Sequence, residues 1–277
     1  ALNRSDTQIV SVCTINHLHY SQTLAALEAG KHVLVEKPLC FTAEEASRLA
    51  AEAQSRKLIT HVGHVVRFYP AIVGLHSLVE SGELGEIFYC ESGYWHEIIG
   101  AWKTRIETGG SALLMGGCHA VDMVRWMLGE SNPIDEVSAY STPARRRTDF
   151  EYPPTVTLTM KYRNESIGRV STCLESRMPY VFHLQVNGTK GSIRNNGFFS
   201  DRFPSREFSR LEADYPDDWN VSHHPFPEEI NSFVDCIRQD RPSGLSFQEA
   251  VKTYEVIFAA EHSIQSGKPV QMPFIPE

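Results

Sequence analysis

Lys37 stands in the tripeptide Glu36-Lys37-Pro38, directly after the apolar run His32-Val33-Leu34-Val35. An ammonium at the carboxyl end of a buried strand, followed by a proline that limits backbone freedom, can polarise a hydroxyl or carbonyl and help move its proton. Taken alone, the same tripeptide also suits a surface turn. His119 and Asp122 lie three residues apart behind the run Gly109-Gly110-Ser111-Ala112-Leu113-Leu114-Met115-Gly116-Gly117. That spacing puts both on one helix face, and an imidazole near its unperturbed pKa of ~6.5 is a suitable proton acceptor. A third group, Thr14, Asn16 and His19, follows the run Ile9-Val10-Ser11-Val12-Cys13. Polar residues at the carboxyl end of a parallel strand suit a pyrophosphate, a ribose or a nicotinamide amide, or they cap the next helix. His17 and His19 have no carboxylate or cysteine at matching spacing, so no metal is expected. Further along, Arg67 follows a strand-like run, and Tyr94, Trp95, His96, Trp102, Lys103 and Arg105 precede the glycines. Aromatic and basic groups of this kind suit stacking and hydrogen bonding to a sugar, or ordinary packing. His223-His224 precedes a helix after a long loop, where it either reaches the site or caps that helix, the cap being the favoured reading.

The elements that must position these residues follow from periodicity. Three short apolar runs (9–13, 32–35 and 58–62) alternate with helical patterns over 20–29 and 42–56, the order of a doubly wound α/β unit. Gly30 ends the first helix, and Thr42 with Glu45 forms a capping box on the second. Beyond residue 67 the pattern changes. Helices are expected over 70–81 and 119–128, and strands over 87–96, 136–141, 155–162, 166–174, 180–186 and 191–194. Strands that follow one another without helices imply antiparallel pairing. Residues 196–225 read as irregular loop, and helices over 227–238 and 246–266 close the sequence.

The fold class expected is therefore α/β plus α+β. A partial Rossmann-like parallel sheet in residues 1–67 leads into a domain, residues 68–277, with a large, mostly antiparallel open sheet. A net charge of −8 argues against nucleic-acid binding, which needs clustered cations. The exception, Arg145-Arg146-Arg147, is read as a solvated turn. No apolar stretch approaches the ~20 residues of a membrane span. The six cysteines have no C-x-x-C spacing and read as buried free thiols of a cytoplasmic protein.

Taken together, these segments resemble the glucose–fructose oxidoreductase/inositol dehydrogenase/MocA family. Thr14-Ile15-Asn16-His17-Leu18-His19 is similar to its T-P-N-x-x-H segment, with Ile15 in place of Pro. The stretch from Ala29 through Glu36-Lys37-Pro38 is similar to its strand and E-K-P motif, and Gly109 to Asp122 to its G-G-x-x-x-D-x-G-x-H-x-x-D segment. The resemblance implies an NAD- or NADP-dependent oxidoreductase acting on a secondary alcohol of a sugar, glycoside or cyclitol. It implies Lys37 beside the nicotinamide assisting proton transfer and His119 as the acid/base. Thr14, Asn16, His19 and Glu36 would line the cofactor, and Asp122 would hold a substrate hydroxyl. It also implies a homo-oligomer formed through the open sheet face. Arg67, His96, Trp102 and Arg105 are further candidates for the sugar. Two departures matter. Met115 stands where many members carry Asp, and no G-x-G-x-x-G fingerprint precedes Ile9. The second suggests a chain that lacks the N-terminal part of its dinucleotide domain and binds the cofactor weakly or not at all. Two other readings remain open: an epimerase, lyase or glycosidase that recycles its cofactor through a keto intermediate, and a non-catalytic carbohydrate-binding subunit.

Overall fold

The computed structural model describes residues 2, 4–203, 207–217 and 223–274. The first region contains β1 (Ile9–Val12), α1 (His19–Glu28), β2 (His32–Glu36), α2 (Ala43–Ser55) and β3 (Thr60–Gly63). The strands form a parallel sheet in the order β1-β2-β3. Val33, Leu34 and Val35 are all buried, as expected of a strand covered on both faces. Gly30 takes a φ of +71° just past α1, a conformation that costs glycine least. Thr42 caps α2 by accepting from the Glu45 amide, while the Glu45 carboxylate reaches one residue further back, to the Phe41 amide at 2.9 Å.

The second region contains α3 (Pro70–Glu80), β4 (Ile87–Trp95) and the short α4 (Ile106–Gly109). A π-helical turn, Leu113–Gly117, then runs directly into α5 (Cys118–Leu128). There follow β5 (Ile134–Thr142), β6 (Thr155–Tyr162), β7 (Ile167–Cys173), β8 (Val181–Gly188), β9 (Gly191–Arg194), β10 (Gly197–Ser200) and β11 (Ser209–Arg210). The helices α6 (Phe226–Arg238) and α7 (Phe247–Ser266) precede a last short strand, β12 (Val270–Gln271). Nine strands form one sheet, ordered β11-β10-β9-β8-β4-β7-β6-β5-β12. Its pairings are antiparallel except β4 with β7, which is parallel. The sheet is thus mostly antiparallel, as expected, and its parallel pairing arises because α5 carries the chain across the sheet after β4, which ends between two later strands. Part of the region read as irregular loop is also ordered, as β10 and β11. Residues 204–206 and 218–222 of that region lie outside the described residues.

One face of this sheet is apolar: Val156, Leu158, Met160 and Tyr162 of β6 are buried, alternating with exposed or half-exposed Thr157, Thr159 and Lys161. The buried face packs on α5 and α7, and α7 also packs on α2. The closing segment thus returns to the small sheet, where the Val62 amide donates to the Leu245 carbonyl and the Phe247 amide to Thr60 Oγ1. Among the described residues, no helix is long and apolar enough to cross a membrane.

Candidate active site

Lys37 sits where β2 ends, in a turn held from two sides. Buried His19 places Nδ1 2.6 Å from the Pro38 carbonyl oxygen, and the Leu39 amide donates to Tyr254 Oη at 2.8 Å. From this fixed base the Lys37 ammonium donates to the Met115 carbonyl at 2.7 Å. Met115 belongs to the π turn, a widened stretch that departs from the regular helical ladder. One turn later comes His119, 4% exposed, its ring 5.6 Å from that of His64 and 6.0 Å from that of Tyr94. His119 Nδ1 has no hydrogen-bond partner among the described residues. Glycine is required at position 116 for this arrangement: a Cβ there would lie 2.6 Å from two carbons of the Tyr94 ring.

Around Tyr94 the rings continue. His96 lies 6.2 Å from Tyr94 and 5.6 Å from Tyr180, whose buried hydroxyl is also unpartnered among the described residues. His224 lies 6.5 Å from Tyr180, and its Nδ1 is 2.8 Å from Tyr69 Oη. The electrostatics tie these groups to Lys37. Burial lowers the His119 pKa well below the ordinary 6.5, and the charges of Lys37, His64 and His224 lower it further. His224 is pushed down to about 4, first by burial and then by Lys37 and His96. Lys103 is lowered by burial and then by Lys37, and its ammonium lies 5.6 Å from the Trp102 ring centre. Near neutral pH the arrangement offers a neutral imidazole able to accept a proton, beside an ammonium able to stabilise a developing alkoxide.

Residues 76–272 match the model of an oxidoreductase family's C-terminal alpha/beta domain, and residues 1–64 match that of its NAD-binding Rossmann fold. The chain belongs to the glucose–fructose oxidoreductase/inositol dehydrogenase/MocA family. It is 25% identical over 271 residues to scyllo-inositol 2-dehydrogenase (NAD(+)) of Bacillus subtilis, covering 95% of this chain and 77% of that protein. It is 25% identical over 215 residues to levoglucosan dehydrogenase of Pseudarthrobacter phenanthrenivorans, covering 68% of this chain but only 55% of that protein. An oxidoreductase domain protein from Kribbella flavida superposes with a TM-score of 0.86 at 26% identity, covering 99% of this chain and 82% of the other. This is therefore an NAD-binding oxidoreductase family with sugar and cyclitol dehydrogenases among its members.

Against the family's motifs, the remaining residues divide. Lys37, His119 and His96 share the cluster just described, with Lys103 and the Trp102 ring at its side. Thr14 is exposed beyond the end of β1, and its hydroxyl donates to Gln22 Oε1 at 2.9 Å. Asn16 is buried, with Nδ2 3.4 Å from the Gly109 carbonyl, a link between the two regions. His19 braces the lysine turn, because its second nitrogen lies 3.0 Å from the Thr14 carbonyl and both ring nitrogens therefore face backbone oxygens. Glu36 is largely buried; burial raises its carboxyl pKa, Lys37 opposes the rise and Glu229 adds to it.

Four expectations need correction. Asp122 shares the helix face of His119, but both its oxygens are taken by Arg67, through Nε and Nη2 at 2.7 Å each. Arg67 Nη2 also donates to Glu130 at 2.8 Å, and the guanidinium lies 4.7 Å from the Trp126 ring centre. Burial opposes both charges, yet each partner outweighs it, holding Asp122 below its ordinary pKa and Arg67 above. As the structure stands, neither group is free to hold a sugar. Arg105 is exposed, and its guanidinium is paired with Glu151 at 3.0 Å. The three arginines 145–147 are not a merely solvated turn, since their consecutive amides donate to the Glu175 carboxylate at 2.8, 3.0 and 3.0 Å. His224 does not cap α6, whose N-cap is Pro225, and joins the ring cluster instead. Sequence reasoning missed His64, Tyr69 and Tyr180. His64 follows β3 directly, so the rule that located Thr14 and Lys37 at strand ends would have found it; nothing local marks the other two.

Proposed function

We propose that the protein oxidises a secondary alcohol of a sugar, glycoside or cyclitol, with His119 accepting the hydroxyl proton and Lys37 stabilising the alkoxide oxygen. The observation carrying this reading is the Lys37–Met115 hydrogen bond, which holds the ammonium one turn from the unpartnered Nδ1 of His119. The residues fit a nicotinamide cofactor: the carboxyl ends of adjacent parallel strands present exposed Thr14 and half-buried Lys37, and polar atoms of His119 and Tyr180 have no partner among the described residues. Bound there, NAD or NADP supplies the hydride acceptor. Because burial and Lys37 keep the His119 ring neutral, it is ready to take a proton without first losing one. His96 and the Trp102 ring are assigned to the sugar. The half-exposed outer face of the nine-stranded sheet is assigned to contact with a second copy.

Growth of reduced-nicotinamide absorbance, measured on the intact protein with a panel of sugars and cyclitols and each cofactor, tests the proposal. His119→Gln is expected to lower kcat/KM by about 100-fold or more. A substrate turned over equally fast by His119→Gln would refute the assignment.

A further inference from the structure

Where the C-terminal half of α7 meets α4 and the start of β6 there is a cavity of about 390 Å³, within the range of about 300–1,000 Å³ usual for small-molecule sites. Its walls are mostly apolar, with Ile106 from α4, Leu113 from the π turn, Val156 from β6 and Ile264 from α7. Ile106 is 56% exposed, so the cavity opens to solvent beside α4. Among the described residues, one charged side chain lines it, that of Glu261. Ser111 Oγ donates to Glu261 Oε1 and accepts from the Leu114 amide at 3.2 Å. Glu261 Oε2 takes no hydrogen bond, and Glu261 joins no ion pair, among the described residues. Other carboxylates in the chain are better served: Asp122 is held by Arg67, and Glu175 takes three backbone amides. A carboxylate with a single hydroxyl donor in an apolar hollow is short of partners, and burial accordingly raises Glu261 to about 7. None of Lys37, His96, His119 and His224 lines this cavity.

We propose that this cavity is a second binding site, separate from the Lys37–His119 cluster, for a small amphipathic amine. The ammonium donates to Glu261 Oε2, and the hydrocarbon part lies against Ile106, Leu113, Val156 and Ile264. The carboxylate repels an anion, and a wholly apolar molecule would leave Oε2 unpaired in a drier place than before. A cation with an apolar tail meets both demands at once.

Calorimetric titration of the intact protein at about pH 8, where Glu261 is ionised, tests it with three probes: hexylammonium, 1-hexanol and methylammonium. Hexylammonium is expected to bind at least about tenfold more tightly than either of the others, because it alone carries both the charge and the tail. In Glu261→Gln its advantage over 1-hexanol should disappear. Ile106→Lys, a change at an exposed position, places a competing ammonium on the cavity wall and should weaken hexylammonium by at least about tenfold; this variant decides the matter if Glu261→Gln fails to fold. Saturating NADH should leave hexylammonium binding unchanged. No binding of hexylammonium by the wild-type protein, equal affinities for hexylammonium and 1-hexanol, or a preference that survives both substitutions would overturn the proposal. Displacement of hexylammonium by NADH would overturn it too, by merging this cavity with the cofactor site.

Discussion

Glu229 on α6 offers a sharp test, because two descriptions of its surroundings predict opposite signs. Its Oε1 lies 3.5 Å from His61 Nε2, close enough to be drawn as an ion pair, and both side chains are only 1% exposed. Burial nevertheless pushes Glu229 up to about 8 and, with Arg67, pushes His61 down to about 3. Both are then neutral at pH 7, and the pair is neutral rather than ionic because 3.5 Å is too long for the strong hydrogen bond that would offset two buried charges. The sign of the linkage follows. Between the unfolded value near 4.5 and the folded value near 8, the folded state keeps a proton that the unfolded chain has lost, so stability falls as pH rises through that window. A shift from 4.5 to about 8, at about 1.36 kcal/mol per unit, sets a ceiling of about 5 kcal/mol. Glu229→Gln preserves shape and removes the titration. Its urea-unfolding free energy, relative to wild type, should be little changed at pH 5, rise by up to about 1.4 kcal/mol per pH unit, and level off above pH 8. A difference independent of pH, or a variant that grows less stable than wild type between pH 5 and 7, would refute the neutral pair in favour of the ionic one.

Other consequences can be checked by unfolding measurements. Asp122→Ala leaves Arg67 buried with Glu130 alone and should cost about 3–5 kcal/mol, whereas Arg67→Met with Asp122→Leu should cost less than that single change; a double variant worse than the single one contradicts the pairing. His64 is pushed down to about 4 by burial, so as pH falls from about 6.5 to 4 the unfolded chain gains a proton that the folded one refuses. His64→Leu should accordingly gain about 3 kcal/mol on wild type across that window, and parallel pH curves would exclude the effect. Gly116→Ala drives a methyl into Tyr94 and should cost about 1–3 kcal/mol by thermal unfolding; an unchanged Tm would mean that the Tyr94 ring can move aside.

Local signals in the sequence located most of what positions the chemistry. Continuous apolar runs placed β1, β2 and β3 in a parallel sheet, and the strand-end rule singled out Thr14 and Lys37, which lie just beyond the ends of β1 and β2. The His119–Asp122 spacing correctly gave a shared helix face but not its use, because Arg67 arrives from 55 residues away and a contact of that range leaves no local trace. The place of β4 between β7 and β8 was hidden for the same reason, as parallel pairing depends on where α5 carries the chain. Tyr69 and Tyr180 had no pattern to mark them, since a buried tyrosine looks alike in sequence whether its hydroxyl is satisfied or unpartnered. His224 was ambiguous because a polar residue just before a helix is commonly a cap, and only the neighbouring rings resolve it.

The central claim is that the charge of Lys37 and the ring of His119 act on one another. Titration of His119 by NMR in the intact protein tests this without knowledge of the substrate. The ring should titrate well below 6.5 and move upward in Lys37→Met, though burial should still hold it below the ordinary value. A ring that titrates near 6.5, or that does not respond to the loss of the ammonium, would separate the two groups and remove the basis for a shared proton-transfer site.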